Sequence, residues 1–104
     1  MAEPQDPTFY ERADDHINLA NRQAESVPGP RVAASLSFAT ARFNAWLCAN
    51  MYGSAAEMQR QRDDAIARLT EHYNQMLKDS FDDFIRDSQG KYFKVGTQTR
   101  TPGA

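Results

Sequence analysis

"SFATARFNAWLCANMYG", residues 37–53, decides how the rest of the chain must fold. It is the least charged stretch, yet Arg42, Asn44 and Asn50 stand there among alanines, aromatics and Cys48. At the helical angle of about 100° per residue, Val32, Leu36, Ala39, Phe43, Trp46, Leu47 and Asn50 fall within a band of about a hundred degrees. That band predicts one core-facing stripe. The opposite side holds Ala34, Ala41, Ala45, Cys48 and Ala49, with Phe38 and Tyr52. Small side chains let a second helix approach closely. The segment therefore reads as a central helix covered on two sides, running from about Arg31 to Tyr52 and closed by Gly53 as a left-handed cap.

Its neighbours follow from the flanking sequence. On the N-terminal side, "SVPGP" (26–30) breaks the chain, since Pro28 and Pro30 lack amide donors and Gly29 permits a sharp turn. Before it, Thr8 and Glu11 have capping-box spacing and open a helix to about Glu25, with Phe9, Ala13, Ile17, Ala20 and Ala24 on one face. Asp6 followed by Pro7 is a competing start. On the C-terminal side, Ser54 and Glu57 form a second capping box directly after Gly53, so a third helix begins with almost no loop. Its stripe runs Met58, Ala65, Ile66, Leu69, Tyr73, Met76, Leu77, Phe81, Phe84 and Ile85. Continuous to Ser88 it spans about 35 residues, near 50 Å, against roughly 30 Å for the others. Ser80 with Asp83 offers an alternative break, but Tyr73, Leu77, Phe81 and Phe84 keep phase across it.

The fold class is thus all-α: a three-helix antiparallel bundle with a long third helix. Residues 1–7 read as a disordered lead, 8–89 as one helical domain and 90–104 as a flexible basic tail. The apolar excess of the third helix, carried by Leu77, Phe81, Phe84 and Ile85, predicts a homodimer interface.

Composition sets the outer bounds. With 104 residues, 40% hydrophobic and 25% charged, the chain suits one modest globular domain. Cys48 stands alone, which excludes an intrachain disulfide, and the acidic N-terminus lacks the pattern of a secretory leader. A cytoplasmic location is the expectation. Arg42 and Asn44 interrupt the most apolar segment, so a membrane span is not predicted. The net charge of −2 is uneven: residues 1–30 carry six acids and two bases, 31–53 two bases and no acid, 54–87 eight acids and five bases, and 88–104 three bases and no acid. An acidic folded part disfavours nucleic acid as a partner, leaving only weak association through the tail.

No residue pattern asks for catalysis, a cofactor or a metal. His16 and His72 are the two histidines, and neither follows a glutamate at the spacing of a di-iron bundle site. They read as boundary residues, with a shared metal or proton site as the rival. Cys48 has Asn44, Ala45, Met51 and Tyr52 as helical neighbours, none of which would activate a thiolate. The five glycines are too dispersed to cradle a phosphate.

Arg42 is the best candidate for function. A buried guanidinium needs a carboxylate or carbonyl oxygens. Asp14 and Asp15 on the first helix, or Asp82 and Asp83 on the third, would give an ion pair that sets register. Alternatively Arg42, with Asn44, His16 and Asn21, lines a groove that binds a small anion or a partner's acid, or its guanidinium simply snorkels to solvent.

"FYERADDHINLAN" (9–21), "VAASLSFATARFNAW" (32–46) and "MQRQRDDAIARLTEHYNQMLKDSFDDFI" (58–85) resemble successive blocks of a bacterial family, domain of unknown function three-one-four-four. The resemblance covers about residues 8–87, and "ARFNA" with "LAN" is its most specific portion. It implies a short, mostly helical, cytoplasmic protein and supplies no activity, cofactor or catalytic residue. "QGKYFKVGTQTRTPGA" looks like an addition to the family pattern. The functional expectation is a non-enzymatic, homo-oligomeric module that engages an unidentified protein partner.

Overall fold

Three helices succeed one another: α1 (Phe9–Gln23), α2 (Gly29–Tyr52) and α3 (Ala55–Arg86). The computed structural model describes residues 6–87, and no strand occurs among them, so the protein is all-helical. Apart from Asp6 and Pro7, the lead (1–7) and the tail (90–104) lie outside the described residues.

The start of α1 departs from the expected capping box. Thr8 is the N-cap residue but its hydroxyl caps no backbone amide. It donates instead to Asp6 Oδ1 at 3.1 Å and accepts from the Arg12 guanidinium. Asp6 also accepts the Thr8 N–H at 3.2 Å, and its carbonyl takes the Phe9 N–H at 3.3 Å. The Arg12 guanidinium thus takes the place of the Glu11 N–H as donor to the Thr8 hydroxyl, while Asp6 accepts the hydroxyl proton, since charged partners make the stronger bonds. The helix ends at Gln23, two residues before the expected Glu25, in a turn where Ser26 and Val27 both donate to the Gln23 carbonyl. Pro30 then sits in the first turn of α2, where its missing N–H costs nothing.

The α2–α3 junction behaves as predicted. Gly53 has φ +83°, the left-handed cap, and its N–H reaches the Ala49 carbonyl at 3.0 Å. Ser54 is extended, and its hydroxyl accepts the Glu57 N–H at 3.1 Å. Two residues therefore separate the two helices. From there α3 runs unbroken through Ser80, so the alternative break is not formed. Its 32 residues correspond to about 48 Å, close to the molecule's longest dimension of 50 Å.

Packing is where the molecule parts from a closed bundle. Both α1 and α3 contact α2, but among the described residues they do not contact each other. The central place of α2 matches its two-sided pattern. Only Val32, Cys48 and Ala65 are buried among the described residues. Three side chains do not make a common core. The unequal lengths explain this in part, since α1 has 15 residues, α2 has 24 and α3 has 32.

Candidate functional site

Helices α2 and α3, joined through Gly53 and Ser54, together line a groove of ≈ 940 Å³. Its lining extends from Ala33 to Tyr52 on α2 and from Ala55 to Tyr73 on α3. The α2 wall is made mainly by the small-residue face: Ala41, Ala45 and Cys48, with Asn44 between them. The α3 wall carries Met58, Ile66 and Leu69. Cys48 and Ala65, two of the three buried residues, belong to these walls. Ser37, Thr40, Gln59, Arg62 and Thr70 add polar side chains to the lining.

Outside the groove, large apolar side chains face solvent on both helices. Phe43 is 61% exposed and Trp46 58%, their rings stacked with centroids 5.8 Å apart. On α3, Phe81 is 62% exposed and Ile85 69%.

Arg42 does not meet the acids expected of it. Its guanidinium lies 5.7 Å from the centroid of the Phe38 ring, one turn back on the same helix. It forms no ion pair with Asp14, Asp15, Asp82 or Asp83; Asp83 pairs instead with Arg86. The reason is distance along the hairpin. Arg42 stands 11 residues before Gly53, roughly 16 Å, whereas Asp82 lies about 42 Å along α3. Arg42 is exposed, so the burial that would demand an acid is also absent.

Residues 9–85 match the family described as protein of unknown function (DUF3144). The chain belongs to this family. No curated protein and no solved structure matches it.

For this DUF3144 protein the other candidate residues are dispersed. Asn44 lines the groove, half-buried, while Arg42 does not line it. His16 is exposed and Asn21 half-buried on α1, which contributes nothing to the groove. His72 is exposed on α3, a helix that does not touch α1, so the two histidines are not brought together. No group of three or more His, Cys, Asp or Glu side chains suited to a metal is present among the described residues. No helix among them is long and apolar enough to cross a membrane. Of the interface candidates, Leu77, Phe81 and Ile85 are exposed and Phe84 is half-buried.

Two carboxylates are tuned, both at helix starts. The Arg12 guanidinium, bonded to Asp6 with help from Thr8, holds the Asp6 carboxyl below its ordinary value. Gln61 and then Arg60 do the same for Glu57, whose side chain therefore does not complete the reciprocal half of the capping box. These are local helix-start devices on the surface. The alanine face of α2 was legible in the sequence, whereas Gln59 and Arg62, which line the same groove, stand in no motif.

Proposed function

We propose that this protein is a non-enzymatic interaction module that works as a homodimer, in which the apolar faces of α2 and α3 become the interface. The observation that carries the reading is the exposure of Phe43, Trp46, Phe81 and Ile85 alongside only three buried side chains among the described residues. Helices of this length draw most of their stability from packing an apolar face, and one chain provides little of it. A dimer closes the bundle and supplies the missing cover. Arg42, with no ion pair among the described residues, is then available to a carboxylate of a partner. A free thiol at Cys48 suits a reducing compartment, which supports a cytoplasmic location.

Multi-angle light scattering tests this directly. Association is expected at about twice the 11.7 kDa of one chain. A strict monomer at micromolar concentration, with intact helicity, would sink the reading.

A further inference from the structure

We draw no further inference here: the strongest candidate, the α2–α3 groove with the exposed Leu77, Phe81 and Ile85 of α3 beyond it, carries nothing more, because nothing in the structure shows what fills the groove or covers that face.

Discussion

The two ends of α3 are built on different principles. At its start, Gly53 and Ser54 fix the geometry with one positive-φ glycine and one side-chain cap, and Ala65 is buried against α2 within three turns. At its far end, Phe81 and Ile85 are held by nothing but the helix they stand on. The first region is self-sufficient, because its instructions are local. The second carries its bulk on a face left exposed among the described residues.

The largest effect should come from the exposed end. Phe81→Asp places a charge where the proposed dimer buries an apolar side chain, at a cost of several kcal/mol if the site is covered. Self-association measured by sedimentation is expected to weaken at least 100-fold. The monomer should show little intrinsic loss, since Phe81 touches no buried neighbour there; an unchanged association constant would show that the far end stays bare. At the self-sufficient end, Gly53→Val forces a β-branched residue to φ +83°, expected to cost about 1–2 kcal/mol. No heavy atom lies within 4 Å of a Cβ at this position, so urea denaturation would read the backbone penalty alone. Ser54→Ala removes the acceptor for the Glu57 N–H and should cost about 1 kcal/mol in the same assay.

The smallest effect concerns acidity. Glu57 titrates below its ordinary value because Gln61 and Arg60 hydrogen-bond its charged form. A carboxylate depressed in the folded state contributes stability above its unfolded pKa and loses it as pH falls through the folded one. Lowering pH from 7 to 3 should therefore erode the difference in melting temperature between the protein and its Glu57→Gln variant. A difference that stays constant over that range would remove Glu57 from the account. Exposure on the surface keeps the effect small.

What could be read from the residues follows the same division. Gly53, Ser54 and the period of α2 act over a few residues, and the helix ends they predict are those observed. Thr8 misled because Arg12 and Asp6, both outside the motif, engage its hydroxyl as donor and acceptor. Arg42 misled for a different reason: composition tells which acids exist, not which helices meet. Counting residues from Gly53 would have placed Asp82 and Asp83 out of reach. The groove was half legible, since the alanine face of α2 announces a close neighbour. Its opposite wall depended on where α3 would lie, which no local pattern records.

The brevity of the α2–α3 junction has a further consequence. With only Gly53 and Ser54 between Tyr52 and Ala55, the rotational phase of α3 is inherited from α2, as one gear inherits phase from another. Each residue inserted there would turn every side chain of α3 by about 100°. Met58, Leu69 and Tyr73 would leave the groove together while the helix itself remained intact. The junction therefore encodes an angle as well as a turn, and that angle selects which stripe of a 32-residue helix faces inward.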